Sequence, residues 1–174
     1  AHTGAGEEYG IKKMAESINQ AHEKTPGFKV KTAIEITAGQ GSVVGYRFEQ
    51  IAAIIEGVAE KPRVGVCFDT QHAFAAGYDL STEGGYHKTM DEFDKAIGIK
   101  RIVAFHLNDS KKECGSRVDR HEHIGKGAIG LTAFRCLMND RRFENIPMSL
   151  ETPKDEDMKE DRMNLKVLRS LLNK

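Results

Sequence analysis

The sequence lacks the features of membrane proteins and of disulfide-stabilised proteins. Its longest purely apolar run, residues 51–55, is far shorter than the ~20 residues of a membrane-spanning helix, so we expect no membrane segment. It has only 3 cysteines and no Cys-x-x-Cys spacing, which argues against a disulfide framework and indicates a reducing compartment. We therefore predict a cytoplasmic protein, or a nuclear or organellar one if the source is a eukaryote.

A net charge is also absent, because 26 Lys and Arg residues balance 26 Asp and Glu residues. The chain thus lacks the global positive field of many nucleic-acid-binding proteins, although bound divalent cations would add charge that this count omits. Hydrophobic residues at 39% and charged residues at 30% are typical of a globular protein. The length of 174 residues suits one domain, which we predict to span residues 1–174.

Alternating strand and helix patterns predict an α/β fold. Short apolar runs rich in Val, Ile or Phe predict buried parallel strands at residues 31–36, 63–68, 101–107 and 146–150. Apolar residues at helical spacing flank these runs: Ile11, Met14 and Ile18; Phe48, Ile51 and Ile55; Met90, Phe93 and Ile97; Leu131, Phe134 and Met138; Leu165, Leu168 and Leu172. The order predicts a (β/α)8 TIM-barrel type of sheet.

The length predicts that this barrel is incomplete. A full barrel takes about 250 residues and eight strands, so we expect about four βα units here. Such a sheet has two unpaired edges. We therefore expect association with a missing N-terminal half or with a second copy of the chain.

Polar side chains stand where each predicted strand ends, namely Glu35, Asp69, His106 and Glu151. Parallel α/β folds collect their chemistry at the carboxyl ends of their strands, so these side chains are expected on one rim. Four acidic or imidazole groups at successive strand ends indicate a divalent metal site.

Three further residues extend this set. His72 follows Asp69 by one turn, which lets the two side chains serve different ions. Asp119 and His121 are two residues apart, so in extended chain they share a face and can chelate one ion. The combined nitrogen and oxygen donors suit Zn²⁺ or Mn²⁺.

Taken singly, these residues have plainer interpretations. Asp69 or Glu151 at a strand-to-helix junction is typical of a helix N-cap. Asp119 and His121 would fit a charged surface loop. Arg117 and Arg120, which flank Asp119, are candidates for contacts with a phosphate backbone.

Five blocks of sequence carry a resemblance to a known family. They are EITAGQG at residues 35–41, VCFDTQHAFAAGYD at 66–79, HLNDSK at 106–111, GSRVDRH at 115–121 and SLET at 149–152. In this order and spacing they resemble the C-terminal part of the barrel of the endonuclease IV family of apurinic/apyrimidinic (AP) endonucleases. The resemblance implies a TIM barrel with multinuclear zinc catalysis. It also implies hydrolysis of the phosphodiester 5′ to abasic sites in double-stranded DNA during base excision repair.

The resemblance assigns roles to individual residues. Glu35 resembles a carboxylate that bridges two zinc ions. The other ligands of the second ion are implied to be Asp69, His106 and Glu151, and those of the third His72, Asp119 and His121. Glu151 lies close to the attacking water in the family, so Glu35 and Glu151 are the expected catalytic residues. The expected DNA contacts are Gln40, Arg117 and Arg120.

The resemblance departs from the family at the first zinc ion. Two histidines for that ion come from an earlier part of the family's barrel, so up to three ions are implied there and two sites are largely retained here. We therefore expect little or no nuclease activity from this chain alone. Two alternatives remain: a one-metal sugar isomerase or epimerase on a related barrel, and a non-catalytic half-barrel that binds DNA or a partner.

Overall fold

The structure, a computed structural model, describes residues 1–173. Its α-helices are α1 (Glu7–Glu23), α2 (Phe48–Glu56), α3 (Thr70–Ala76), α4 (Glu83–Ala96), α5 (Leu131–Met138) and α6 (Lys159–Ser170). Its strands are β1 (Thr32–Glu35), β2 (Val64–Asp69), β3 (Ile102–His106), β4 (Asp109–Ser110), β5 (His121–Glu122) and β6 (Met148–Ser149). Short 3₁₀ helices occupy Thr3–Ala5, Lys61–Arg63, Ile99–Arg101 and Arg141–Phe143. Among these described helices, none is both long and apolar enough to cross a membrane.

Four parallel strands form the main sheet, in the order β1-β2-β3-β6. They coincide with the four strands that the apolar runs predict, although β6 is reduced to Met148–Ser149. Within the described residues β1 and β6 are the edges, so the sheet is open. The prediction of an incomplete α/β barrel is therefore confirmed.

Aromatic side chains join the sheet to its outer helices. Phe93 of α4 contacts both Phe48 of α2 and Phe68 of β2, with ring centroids 5.2 and 5.8 Å apart. Phe68 lies 5.8 Å from Phe105 of β3, and Phe105 lies 4.8 Å from Phe143. All five rings are buried. This continuous packing holds the strands, and therefore their carboxyl ends, in fixed positions.

Helix α3 begins directly after β2 and is not predicted by periodicity. The Asp69 carboxylate accepts a hydrogen bond of 2.9 Å from the backbone N–H of His72, which is the N-cap contact proposed for this residue. Gly77 ends the helix with a φ of 114°, a conformation that glycine adopts without strain. The cap fixes where the Asp69 and His72 side chains stand relative to each other.

The loop that follows β3 is organised around one buried carboxylate. Asp109 accepts hydrogen bonds of 2.7–3.1 Å from the backbone N–H groups of Ser110, Gly125, Gly127 and Ile129. A Cβ atom at Gly127 would lie 2.3 Å from the Ser110 carbonyl oxygen, so this approach requires glycine. These bonds support the small antiparallel β4–β5 ladder, which carries His121.

Candidate metal centre

The strand ends bring four polar side chains to one rim of the sheet. Glu35, Asp69 and His106 are the last residues of β1, β2 and β3. Asp69 pairs with His106 in the parallel register, and Glu151 follows β6 by two residues. Because parallel strands end on the same side, all four side chains meet there.

We call Glu35, Asp69, His106 and Glu151 the strand-end group. Each offers a ligand atom, and these atoms all lie within 4.8 Å of one another. His106 Nδ1 stands 3.1 Å from Glu35 Oε1 and 3.2 Å from Glu151 Oε2. Its distance to Asp69 Oδ2 is 3.8 Å. Three carboxylates around one imidazole nitrogen provide a compact donor set for a cation.

We call Asp69, His72 and His121 the loop group, and its ligand atoms also lie within 4.8 Å of one another. His72 Nε2 and His121 Nε2 are 3.5 Å apart. The Asp119 carboxylate lies 3.3 Å from His72 Nε2 and 3.4 Å from His121 Nε2. His72, Asp119 and His121, the residues expected to hold the third ion, therefore lie together.

Asp69 belongs to both groups. Its side chain is fully buried, and Oδ2 lies 3.8 Å from His106 Nδ1, 3.9 Å from His72 Nδ1 and 3.9 Å from His121 Nε2. The resemblance assigns Asp69 to the strand-end ligands alone. The geometry brings the same oxygen close to the loop group as well.

Backbone carbonyls orient two of the imidazoles. His72 Nδ1 lies 2.8 Å from the Ile36 carbonyl oxygen, and His121 Nδ1 lies 2.9 Å from the Glu151 carbonyl oxygen. A carbonyl oxygen only accepts, so Nδ1 donates in both rings. Each Nε2 is left to face Asp119 and the other ring, which is the arrangement of metal-ligating histidines.

Charge and burial oppose each other in this cluster. Burial raises the pKa of Asp69, against the nearby His72. A hydrogen bond with His72 lowers the pKa of Glu35. Burial opposes the charged form of His72, but Glu35, Asp69 and Asp119 prevail and raise its pKa to about 9. Without a cation, these acids therefore favour the protonated form of His72.

The fold has counterparts among known proteins. The profile of the xylose isomerase-like TIM barrel family matches residues 1–171, almost the whole sequence. The chain belongs to this family.

Within the xylose isomerase-like TIM barrel family, the chain is similar to proteins named as endonuclease IV. It is 52% identical over 172 residues to the probable endonuclease 4 of Geobacter sp. (strain M21), covering 99% of this chain and 61% of that relative. It is 53% identical over 174 residues to the probable endonuclease 4 of Geobacter sulfurreducens, with 100% and 59% covered. The resemblance to endonuclease IV is therefore confirmed, and the chain spans about three fifths of these relatives.

A solved structure agrees with this family membership. The crystal structure of endonuclease IV from Thermus thermophilus matches with a TM-score of 0.79 and 36% sequence identity. The match covers 92% of this chain and 57% of that one. The TIM-barrel class predicted from the sequence is thus confirmed.

The three residues expected to contact DNA lie around the loop group. Gln40 Oε1 accepts a hydrogen bond of 2.8 Å from the backbone N–H of Asp119, so Gln40 fixes the loop that carries a candidate ligand. Arg117 and Arg120 are exposed. Arg117 adopts a positive φ of 54° and lies over the ring of Tyr46, 4.8 Å from its centroid.

Sequence reasoning missed the buried polar residues behind the centre. Asn108 is fully buried and contacts both Asp69 and Glu151. Gln71 is fully buried and donates 3.0 Å to the carbonyl of Val118, next to Asp119. Both residues lie inside the blocks that resemble endonuclease IV, and that position was the available signal.

Proposed function

We propose that this chain carries the C-terminal part of an AP endonuclease of the endonuclease IV type, which hydrolyses the phosphodiester 5′ to abasic sites in double-stranded DNA. The observation that carries this proposal is the sharing of Asp69 by two adjacent groups of metal-ligand side chains. The relatives named as probable endonuclease 4 support the nuclease chemistry. We place this activity in DNA repair, in the reducing cytoplasm that three free cysteines suit.

The donor set fits zinc. It combines imidazole nitrogens and carboxylate oxygens without thiolate, which also admits Mn²⁺. The carboxylates of the strand-end group, packed within 4.8 Å, would repel each other without a cation. The strand-end group would hold one ion. The second would be held by His72, Asp119 and His121, together with the shared Asp69.

When bound, such ions supply Lewis-acid stabilisation of phosphate charge and a water of lowered pKa. Individual side chains of this protein would have distinct roles in this chemistry. Asp69 is fully buried and would serve both groups as a ligand. The Glu35 and Glu151 side chains are 37% and 46% exposed, so these two carboxylates face the space that substrate would enter. We assign them the catalytic roles.

DNA would approach across the loop that carries Asp119. Arg117 and Arg120 place exposed guanidinium groups beside this residue. Guanidinium groups pair well with phosphate oxygens, so both would bind the DNA backbone. Gln40 uses Oε1 on the Asp119 N–H, which leaves its NH₂ group for the substrate.

A one-metal sugar isomerase or epimerase is the alternative, because the strand-end group alone would suffice for it. The observation against it is the proximity of His72, Asp119 and His121, since a one-metal enzyme has no use for these three side chains together. The non-catalytic half-barrel is the second alternative, and it differs in predicting no turnover at all.

The test uses the purified 174-residue chain with zinc and a duplex that contains one abasic-site analogue. We expect two zinc ions per chain by elemental analysis. We also expect cleavage 5′ to the lesion, far slower than by a full-length relative, and abolished in a His72→Ala, His121→Ala double variant. A single ion would favour the isomerase. Two bound zinc ions, with cleavage no faster than that of the double variant, would favour the non-catalytic half-barrel.

A further inference from the structure

Asn108 connects two members of the strand-end group, Asp69 and Glu151. Its side chain is 0% exposed and lies two residues beyond His106. Nδ2 donates a hydrogen bond of 2.7 Å to Asp69 Oδ2. Oδ1 accepts one of 2.8 Å from the backbone N–H of Glu151. One amide therefore connects the ends of β2 and β6 across β3.

The orientation of this amide is fixed by chemistry on both sides. A carboxylate oxygen only accepts and a backbone N–H only donates, so a flipped amide would lose both bonds. The backbone of Asn108 is held as well. The Thr70 hydroxyl donates to the Asn108 carbonyl oxygen at 2.6 Å and accepts from its N–H at 2.9 Å. Thr70 directly follows Asp69, so the backbone of Asn108 is held next to the carboxylate that its side chain contacts.

The oxygen that Asn108 contacts is the one that faces the imidazoles. Asp69 Oδ2 lies 3.8–3.9 Å from ring nitrogens of His106, His72 and His121. The other oxygen, Oδ1, is already engaged by the N–H of His72. With both oxygens held, the carboxylate has one orientation available.

We propose that Asn108 is a positioning residue that sets the direction of Asp69 Oδ2 and the spacing between Asp69 and Glu151 in the metal centre. This inference rests on the proposed function, in that the centre binds zinc. An alanine at this position would remove the partner of the partly buried Glu151 N–H and of the buried Asp69 Oδ2. An aspartate would place a second carboxylate against Asp69.

Asn139 provides a matched control. It too is an asparagine that ties segments together, since Nδ2 donates to the carbonyls of Arg135 and Leu171 at 2.8 and 2.9 Å. Its Oδ1 accepts from the N–H of Asn173 at 2.7 Å. These partners lie in α5 and beyond α6, away from both ligand groups.

The first measurement needs no metal. Amide hydrogen exchange at Glu151 is followed by NMR in the presence of a chelator. In Asn108→Ala we expect exchange about tenfold faster than in the wild type, because the N–H loses its buried acceptor. Asn139→Ala should leave this rate unchanged. Asn108→Ser, whose hydroxyl is too short to bridge both partners, serves if the alanine variant does not fold.

The second measurement is a Zn²⁺ titration against a competing chelator. Loss of an outer partner of a metal ligand weakens binding about tenfold to hundredfold, which we expect for Asn108→Ala and Asn108→Ser but not for Asn139→Ala. Faster exchange with unchanged zinc affinity would overturn the positioning role and leave a merely structural tie. Unchanged exchange would overturn it outright. If the wild type bound no zinc, the proposed function would fail, whereas the exchange measurement would still decide the contact of Asn108 with Glu151.

Discussion

Replacing Asp69 with asparagine removes the carboxylate that the two ligand groups share while keeping its shape. The two oxygens of Asp69 accept from the His72 N–H at 2.9 Å and from Asn108 Nδ2 at 2.7 Å. The asparagine amide has only one acceptor oxygen, so either the His72 N–H or Asn108 Nδ2 would face its NH₂ group instead of an acceptor. This mismatch costs about 1–3 kcal/mol, and removal of a buried charge offsets part of it. We therefore expect a folded variant.

The effect on zinc binding should be much larger. Loss of an outer partner alone weakens binding about tenfold to hundredfold, so loss of a shared ligand should weaken it at least hundredfold. At a free zinc concentration of about 100 times the wild-type Kd, each site raises the free energy of unfolding of the wild type by about 2.7 kcal/mol. The same concentration would stabilise the Asp69→Asn variant by only about 0.4 kcal/mol per site. Chemical denaturation with and without zinc measures the difference.

Asp140→Asn is the matched control for this experiment. Asp140 also caps a short helix, accepting from the Arg142 N–H at 3.0 Å, and it accepts from the Tyr86 hydroxyl at 2.9 Å. Its loss should change stability but not the increment that zinc adds. Equal stabilisation of wild type and Asp69→Asn by zinc would refute the reasoning that both groups depend on Asp69.

Three further predictions concern other parts of the chain. The pKa of His72 is about 9 in the folded protein and about 6.5 in the unfolded chain. Protonated His72 therefore stabilises the fold fully below pH 6.5, and this stabilisation is lost as the pH rises through 9. Between pH 6.5 and pH 9, the free energy of unfolding of the metal-free wild type should thus fall by about 2 kcal/mol more than that of His72→Gln, as measured by chemical denaturation. Asp109→Ala should lower the free energy of unfolding by about 3 kcal/mol, because four backbone N–H groups lose their acceptor. Arg117→Ala and Arg120→Ala should each weaken DNA binding and reduce its salt slope by about 1, whereas Arg169→Ala on α6 should not.

Each of these has a contrary outcome. Parallel pH profiles for wild type and His72→Gln would mean that the acids do not hold a proton on His72. An Asp109→Ala variant of wild-type stability would show that the loop after β3 is supported by other contacts. Equal salt slopes for Arg117→Ala and Arg169→Ala would move the DNA contact away from the Asp119 loop.

The strands and the strand-end residues could be predicted because they depend on local signals. Apolar runs locate β1, β2 and β3, and the parallel arrangement then brings Glu35, Asp69 and His106 to one rim. The end of β2 illustrates a limit. Asp69 caps α3 and also joins both ligand groups, so the N-cap and metal interpretations, treated as alternatives, describe the same side chain.

Other features depend on contacts between distant parts of the chain. The β4–β5 ladder joins residues 109–110 to residues 121–122 through a loop organised by Asp109, and short polar strands have no periodicity to detect. The contact of Asp69 with His121 also depends on this ladder, since β5 carries His121. Asn108 in its sequence context is equally typical of a turn, and only the register of three strands places it between Asp69 and Glu151.

The most direct test of the central claim is a crystal of the zinc-loaded chain measured at the zinc absorption edge. Two adjacent anomalous peaks are predicted, one surrounded by Glu35, Asp69, His106 and Glu151, the other by His72, Asp119 and His121. A single peak, or peaks remote from Asp69, would contradict the claim that this carboxylate lies between two metal sites.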